Sequence, residues 1–100
     1  MLLVLWEYRV KPGATDDFES LYRPDGAWTE LLRRSPAFIS TTLWHDQHDG
    51  GRYIVADRWT SAVPYDEFIV QFEREIAELS ARGKRSWDRE TMLGRFDLIG

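Results

Sequence analysis

The chain has 100 residues and a mass of 11.8 kDa, which suffices for one domain, residues 1–100, around one hydrophobic core. It contains no cysteine, and this excludes a disulfide framework, a thiolate metal site and a cysteine nucleophile. Its formal net charge is −4 and its 13 basic residues are scattered, so we expect no nucleic-acid partner.

No segment of the sequence is typical of a membrane protein or of a secreted one. The apolar runs fall well short of the about 18 residues that a membrane span requires. The opening Met1–Val10 lacks the basic leader and the small-residue cleavage site of a signal peptide. We therefore expect a cytoplasmic protein with no membrane partner.

The first predicted element is a strand over Met1–Val10, which stops at the turn signal Lys11-Pro12-Gly13. Its even positions are all apolar, and Leu3 and Leu5 add apolar groups on the opposite face. A strand that is apolar on both faces is usually covered on both faces. We expect the same here.

A helical arm follows over about Thr15–Arg34. Thr15 provides a capping hydroxyl, and two carboxylates after it suit the N-terminal dipole. Apolar residues then recur at helical spacing on both sides of Pro24, where we expect a break. Ser35-Pro36 closes the arm.

Two further strands form a predicted hairpin. Phe38–His45 is rich in β-branched and aromatic residues, and Arg52–Trp59 returns after the turn His48-Asp49-Gly50-Gly51. Strand alternation places one set of side chains of the returning strand on a common face. That set is Tyr53, Val55, Asp57 and Trp59.

The second helix has the clearest period in the chain, and we expect Gly83 to end it. Its apolar stripe is Tyr65, Phe68, Ile69, Phe72, Ile76 and Leu79. Lys84–Asp88 is then a connector, and Arg89–Ile99 is the last strand. Alternation along that strand predicts Met92, Phe96 and Leu98 on one side.

The resulting order, β-α-β-β-α-β, predicts an α+β fold of the ferredoxin-like split β-α-β kind, with an antiparallel sheet and both helices on one face. Such a sheet leaves its other face bare, although the first strand is apolar on both sides. An exposed apolar face of this size favours association. We therefore predict a two-fold homodimer whose sheets meet face to face.

The stretch Tyr53–Ser61, with Asp57-Arg58-Trp59-Thr60-Ser61 before an aromatic-rich helix, resembles the antibiotic biosynthesis monooxygenase family of dimeric α+β barrels. Pro24–Trp28, Arg33–Pro36 and Phe38–Leu43 also resemble a branch of that family. The resemblance implies a homodimer with a pocket between the sheet and the helices of each subunit. It also implies oxidation of polycyclic aromatic or quinol compounds by molecular oxygen, often without a metal or flavin.

Two details separate this chain from particular branches of the family. Some quinone-forming members have a Tyr six residues after the Trp, as Trp59 and Tyr65 do here, but they also have an Asn where this chain has Val55. Haem-degrading members use a helix His, and Pro64–Leu79 contains none. We therefore expect a cofactor-independent monooxygenase, and keep a non-catalytic ligand-binding protein as the alternative, with haem degradation disfavoured.

Three residues are the candidate catalytic groups. Trp59 and Tyr65 can stack on a planar substrate, and each carries one polar handle. Asp57 shares a strand face with Trp59, so a covered carboxyl with a raised pKa is a candidate proton acceptor. The alternatives are ordinary packing for the two aromatics and an ion-paired structural role for Asp57.

Five further aromatic residues are candidate substrate-binding residues, and Trp28 is expected to close the mouth of the pocket. The set is Trp28, Trp44, Tyr53, Phe68 and Phe72. The simplest alternative for these residues is packing in the core or at an interface.

His45 and His48 stand beside Asp46 and Asp49 in a pattern that resembles a metal site. A hairpin turn does not preset closed coordination geometry, so we interpret this run as a solvated polar turn and expect no metal. The sequence also lacks a Gly-rich phosphate loop and a nucleophile elbow. We expect no cofactor, with a small aromatic molecule and molecular oxygen as the other partners.

Overall fold

A computed structural model describes residues 1–100 and contains eight secondary-structure elements. The strands are β1 (Leu2–Val10), β2 (Phe38–His45), β3 (Arg52–Trp59) and β4 (Trp87–Asp97). The helices are α1 (Thr15–Tyr22), α2 (Ala27–Leu32), α3 (Ala62–Gln71) and α4 (Glu73–Gly83). This order confirms the ferredoxin-like α+β fold. None of the helices has the length and apolar character needed to cross a membrane.

The four strands form one antiparallel sheet in the order β2-β3-β1-β4. The first strand therefore lies in the interior of the sheet and bonds to a neighbour on each side. Leu2 pairs with Trp59 of β3, and Val4 pairs with Asp57 of the same strand. This central position suits the apolar composition of β1.

The helices cover one face of the sheet and create two core clusters. The first cluster is Leu2, Val4, Leu31, Leu32, Trp59, Tyr65 and Phe68. The second is Tyr8, Val10, Phe18, Leu21, Tyr22, Tyr53 and Val55. Trp6 from β1 and Trp28 from α2 pack against both clusters. The two indoles therefore mark the boundary between the clusters.

The predicted break in the first helical arm is confirmed, and its cause is local. Arg23 has extended backbone angles, as expected for a residue before proline. The chain then passes so close to the end of α1 that a Cβ at Gly26 would lie 2.6 Å from the Leu21 carbonyl oxygen and 2.7 Å from that of Ser20. Only glycine fits this approach, which fixes where α2 begins.

The second helical segment was expected to be one helix, but it divides at Phe72. The backbone there has φ −107° and ψ 27°, outside the helical region. The hydrogen bonds continue through the break, from Phe72 N–H to the Phe68 carbonyl and from Ile76 N–H to the Phe72 carbonyl. Phe72 therefore keeps both of its own helical hydrogen bonds across the bend, and α4 packs beside α2, where Arg34 approaches Glu75 at 3.8 Å.

The last strand also differs from its prediction. It begins at Trp87, inside the expected connector, and its pairing with β1 skips Leu93. Met92 pairs with Trp6 on the helix-facing side, whereas Phe96 pairs with Leu3 on the outer side. The prediction of one common face was wrong because a β-bulge changes which side each later residue occupies.

The sheet face opposite the helices, here called the outer face, is open in the single chain. Its central positions are apolar, and Trp44 and Phe96 are 58% and 46% exposed. Ion pairs lie at its hairpin end, where Arg52 bonds Glu7 at 2.6 Å. The expected dimer through this face stays a prediction.

Candidate functional site

A cavity of about 590 Å³ lies between the sheet and the helices. Residues from all eight elements line it, and twelve of the eighteen lining residues are hydrophobic. Members of both core clusters contribute to the wall, including Phe68 from the first and Tyr22 from the second. The volume falls within the range typical of small-molecule sites, and the apolar wall suits an aromatic ligand.

Asp57 is the carboxylate in the floor of the cavity. Strand alternation turns its side chain toward the helices, and the residue is 9% exposed. Thr41, its cross-strand neighbour, donates a hydrogen bond from Oγ1 to Asp57 Oδ1 at 2.5 Å. Burial raises the pKa of Asp57 to about 6, and the bond from Thr41 opposes part of that rise. No basic side chain is paired with this carboxyl.

Tyr65 lies in α3 directly above this part of the sheet. Its ring meets the indole of Trp59 in an edge arrangement with centroids 5.2 Å apart. The Arg95 guanidinium carbon lies 5.1 Å from the centroid of the same ring. Burial raises the pKa of Tyr65, and the nearby Asp57 charge raises it further. Tyr65 is thus held between a core indole and a cation.

Arg95 also forms a two-bond ion pair across the opening of the cavity. Its guanidinium donates to the two carboxylate oxygens of Asp66 at 2.9 and 3.2 Å, which joins β4 to α3. Exposed lining residues lie beside this pair, with Val70 76%, Met92 41% and Ile69 39% exposed. The opening therefore lies between α3 and β4. Ile69, which was expected in the buried stripe, belongs to this opening.

Two buried tyrosines line the cavity toward the start of β4. Tyr8 donates a hydrogen bond to Glu90 at 2.6 Å, and the Tyr22 hydroxyl accepts one from Trp87 Nε1 at 3.1 Å. Their rings are 4.8 Å apart. Burial raises the pKa of both hydroxyls. Both tyrosines are therefore neutral hydrogen-bonding groups near neutral pH.

The structure brings four of the predicted site residues to the cavity wall. These residues are Trp28, Asp57, Tyr65 and Phe68. Trp59 is completely buried beneath Tyr65 and does not line the cavity. A direct contact between Trp59 and substrate stays a prediction, and the position of its ring suits support of Tyr65.

Three of the predicted substrate-binding residues lie away from the cavity wall. Tyr53 is buried in the second cluster, where its hydroxyl donates to Glu19 at 2.7 Å, and Phe72 packs against the first cluster. Trp44 was expected at the substrate pocket, but it pairs with Ile54 and therefore points to the outer face. Ligand contacts by these residues stay predictions.

Sequence reasoning missed Thr41, Trp6 and Arg95 as lining residues. Thr41 had a usable signal, because pairing outward from the hairpin turn places it opposite Asp57. Trp6 also had one, since it shares the helix-facing side of β1 with Tyr8. Arg95 had none, because its side depends on the bulge at Leu93.

The chemistry available in the cavity is proton transfer and hydrogen bonding. A carboxyl whose pKa is about 6 is largely ionised near neutral pH and still basic enough to take a proton from an acidic hydroxyl or C–H group. No cluster of three or more His, Asp or Glu side chains is placed to hold a metal ion. His45 instead stacks on Tyr53, with centroids 4.2 Å apart.

The fold is a ferredoxin-like α+β fold with an apolar cavity between its two layers. The model of the antibiotic biosynthesis monooxygenase family matches residues 1–70, which is more than half of the sequence. The chain therefore belongs to that family, as its sequence resemblance implied. No curated protein matches the chain.

Solved structures of low sequence identity share this fold. SnoaB from Streptomyces nogalater, described as a cofactor-independent oxygenase, is 18% identical with a TM-score of 0.77, and the match covers 99% of this chain and 93% of SnoaB. An antibiotic biosynthesis monooxygenase is 21% identical with a TM-score of 0.71, and each chain is covered completely. A conserved protein from Methanosarcina mazei is 13% identical with a TM-score of 0.72, covering 95% of this chain and 89% of its own.

Proposed function

We propose that the protein is a cofactor-independent monooxygenase that oxidises a small, planar, electron-rich aromatic compound of the quinol or anthrone type. The observation that carries the proposal is the Asp57 carboxyl, which is buried in an apolar cavity and has a pKa of about 6. The family membership and the similarity to SnoaB support it. We include residues 71–100 in the same domain because β4 pairs with β1.

The reaction begins when the Asp57 carboxylate takes a proton from the substrate. The substrate anion transfers an electron to molecular oxygen, and the two radicals combine into a peroxide. For a CH₂ group beside the aromatic rings, loss of water from this peroxide leaves a carbonyl. One oxygen atom stays in the product and the other leaves as water, so CH₂ and O₂ give C=O and H₂O. An apolar cavity favours the first electron transfer because it does not solvate the anion strongly.

The cavity offers one cation to the negative charge that develops in this reaction. Arg95 is the basic residue among the lining residues, and it lies beside the ring of Tyr65. A fixed charge near a developing anion stabilises it more in an apolar cavity than in water. We assign Arg95 and Tyr65 to this part of the reaction and Trp59 to positioning Tyr65.

The proposal is tested by measuring oxygen uptake with anthrone and with 1,4-dihydroxynaphthalene, corrected for uptake without protein. We expect the protein to accelerate uptake, and Asp57→Asn to lower the rate at least about 100-fold, because the amide cannot accept the proton. Asp49→Asn is the matched control, since Asp49 lies in the hairpin turn outside the cavity. An Asp57→Asn protein that is as active as the control would overturn the proposal.

A non-catalytic ligand-binding protein is the second candidate function. The position where some quinone-forming relatives have an amide is Val55 here, and Val55 lines the cavity. An apolar side chain at this position supports binding more than proton transfer. Tight binding of the aromatic probes with no oxygen uptake would establish this candidate in place of the first.

We also propose that two copies of the chain pack through their outer faces. The open face is apolar at its centre, and its charged groups are mostly paired within the chain, as in Arg9 with Asp49 and Arg52 with Glu7. A second copy covers such a face with a matching apolar surface. The helical layer and the cavity stay free in this arrangement.

Sedimentation at micromolar concentrations tests the dimer. Trp44→Glu and Phe96→Glu each place a charge on an exposed apolar position of the outer face, one on each edge strand, so we expect both variants to sediment as monomers. The matched control is Val63→Glu, because Val63 is 66% exposed on the helical layer. A monomeric unmodified chain, or glutamate variants that remain dimers, would contradict the proposal.

A further inference from the structure

Thr41 is a buried polar residue of the cavity wall, and its hydroxyl has Asp57 as its one hydrogen-bond partner. The residue is 7% exposed, and the hydroxyl donates to Asp57 Oδ1 at 2.5 Å. The two residues are direct cross-strand neighbours in β2 and β3, an arrangement that brings Cβ atoms to within about 5.5 Å. Threonine is branched at Cβ, so its hydroxyl has few orientations. The sheet itself therefore holds the hydroxyl against one of the two carboxylate oxygens.

The other carboxylate oxygen, Asp57 Oδ2, has different surroundings. It accepts no hydrogen bond from the chain. It is also not sealed in, because the fully enclosed polar side-chain atoms without a partner are the indole nitrogens of Trp28 and Trp59. Asp57 lines the cavity. An unbonded and accessible oxygen on a residue of the wall faces the space that a ligand would occupy.

No other side chain of the wall bonds to Asp57. The other titratable lining residues are Tyr8, Tyr22, Tyr65, Asp66, Glu90 and Arg95. Arg95 bonds to Asp66, and Tyr8 bonds to Glu90. Tyr65 makes no hydrogen bond to the carboxyl, although the Asp57 charge raises its pKa. The two remaining helices, α2 and α4, contribute no charged residue to the wall. Thr41 is therefore the one side chain that holds this carboxyl.

We propose that Thr41 is a positioning residue whose hydrogen bond to Oδ1 leaves Oδ2 as the atom of Asp57 that takes the proton from the ligand. Protonation of Oδ1 would remove the acceptor of a buried hydroxyl, and an unpaired buried donor is costly. Protonation of Oδ2 keeps the bond from Thr41, because Oδ1 still accepts it. The inference rests on the proposed function of Asp57, and it adds the atom at which the proton moves and the residue that selects that atom.

The same arrangement lets Asp57 return the proton. After the first step Oδ2 carries the proton from the substrate C–H group and faces the cavity. The substrate peroxide that forms next is an anion, and transfer of the proton to its outer oxygen gives a hydroperoxide and restores the carboxylate. Loss of water from the hydroperoxide then gives the carbonyl. One oxygen atom thus acts first as proton acceptor and then as proton donor.

Infrared difference spectroscopy tests the hydrogen bond without any substrate. The C=O stretch of protonated Asp57 is isolated by subtracting the spectrum of Asp57→Asn, over a pH titration. Thr41→Val removes the hydroxyl and keeps the branched shape, so we expect the band at higher frequency, because the carbonyl loses its hydrogen bond. The protonation midpoint should rise by about one pH unit, because the bond from Thr41 favours the ionised form.

Two further variants serve as controls. Thr41→Ser keeps the hydroxyl, so the frequency and the midpoint should return to those of the unmodified protein. Thr42→Val is the matched control, because Thr42 is the next residue of the same strand and its hydroxyl bonds Trp44 on the outer face. The Asp57 band should stay in place in this variant. A Thr41→Val protein whose band and midpoint are unchanged would overturn the inference.

Oxygen uptake with anthrone separates positioning from a change in acid strength. Well above both midpoints Asp57 is ionised in both proteins, and a more basic carboxylate alone would not slow proton transfer. We expect the rate at saturating anthrone to be about tenfold lower in Thr41→Val, with little change in KM, because the carboxylate is no longer held in one orientation. Thr41→Ser should recover the rate. An unchanged rate in Thr41→Val at high pH would contradict the inference.

The inference and the proposed function fail in different ways. If the unmodified protein accelerates oxygen uptake and Thr41→Val matches it at every pH, the inference alone fails. If the unmodified protein consumes no oxygen but Thr41→Val shows the expected band shift, the proposed reaction fails, and the selection of Oδ2 by Thr41 stands.

Discussion

Asp57 and Asp49 belong to the same hairpin, yet their surroundings shift their pKa values in opposite directions. Asp57 is buried between sheet and helices with a hydroxyl as its partner, and its pKa rises to about 6. Asp49 lies in the turn with its side chain 37% exposed, and there the Arg9 guanidinium and a backbone N–H hold its pKa at about 2. One carboxylate is a weak acid in an apolar cavity, and the other is a permanent charge in solvent.

The comparison teaches which force matters at each end of β3. Removing solvent from a carboxylate disfavours its charged form, and one hydrogen bond from a hydroxyl does not compensate for the lost solvation. A guanidinium at 2.7 Å in solvent favours the charged form without much burial. Burial of the Asp57 charge therefore costs the folded protein stability, whereas the ion pair of Asp49 does not.

The largest expected effect is on stability. Asp57→Asn should raise the free energy of unfolding by about 3 kcal/mol at about pH 8, because the shift from 3.8 to about 6 measures the cost of the buried charge. In the folded protein Asp57 holds its proton more tightly than in the unfolded chain. The protonated Asp57 carboxyl therefore contributes to the stability of the folded state. This contribution is fully present below pH 3.8 and is lost as the pH rises through about 6.

Urea denaturation of both proteins at fixed concentration, at about pH 4 and about pH 8, measures this effect. The difference between them should be small at the lower pH and close to its full value at the higher one. A stability difference that does not depend on pH would show that ionisation of Asp57 does not destabilise the folded protein.

The next effect is on the rate of oxygen uptake. If Asp57 is the proton acceptor, the rate should fall about tenfold for each pH unit below 6, because only the ionised carboxyl accepts a proton. Rates measured at saturating substrate from about pH 4 to pH 8 give the apparent pKa. A flat pH profile, or a midpoint near the ordinary aspartate pKa, would show that Asp57 is not the proton acceptor.

The smallest effect is at the other carboxylate. Asp49→Asn should lower the denaturation midpoint slightly, because it removes the bonds from Arg9 and from the Gly51 N–H. The effect should shrink in about 1 M salt, which screens exposed charges and leaves buried ones almost unchanged. Equal salt dependence for the Asp57 and Asp49 variants would contradict the contrast between the two sites.

The sequence predicts the elements that depend on local signals. The turn before Arg52, the break near Pro24 and the apolar period of the second helical segment are all encoded within a few residues. The position of Asp57 on the covered face also follows from alternation along one strand. These signals suffice for the fold and for the central carboxylate of the candidate site.

The remaining features depend on contacts between distant parts of the chain. No glycine or proline lies near the division at Phe72, and Phe72 keeps both of its own helical hydrogen bonds, so no local signal predicts it. The bulge at Leu93 appears only when β4 is aligned with β1, and it decides that Arg95 lines the cavity. Trp44 could have been placed correctly by counting outward from the hairpin, and composition alone misled that assignment.

The unpaired residue Leu93 determines which side chains of β4 face the cavity and which face the outer side of the sheet. Glu90 and Met92, which precede Leu93, line the cavity. Arg95, which follows it, also lines the cavity, whereas Phe96 lies on the outer face. If Leu93 instead took a regular place in the ladder, alternation would turn the Arg95 guanidinium away from Tyr65 and the Phe96 ring toward it. A single unpaired residue thus decides which side of the sheet carries the charge and which carries the aromatic ring.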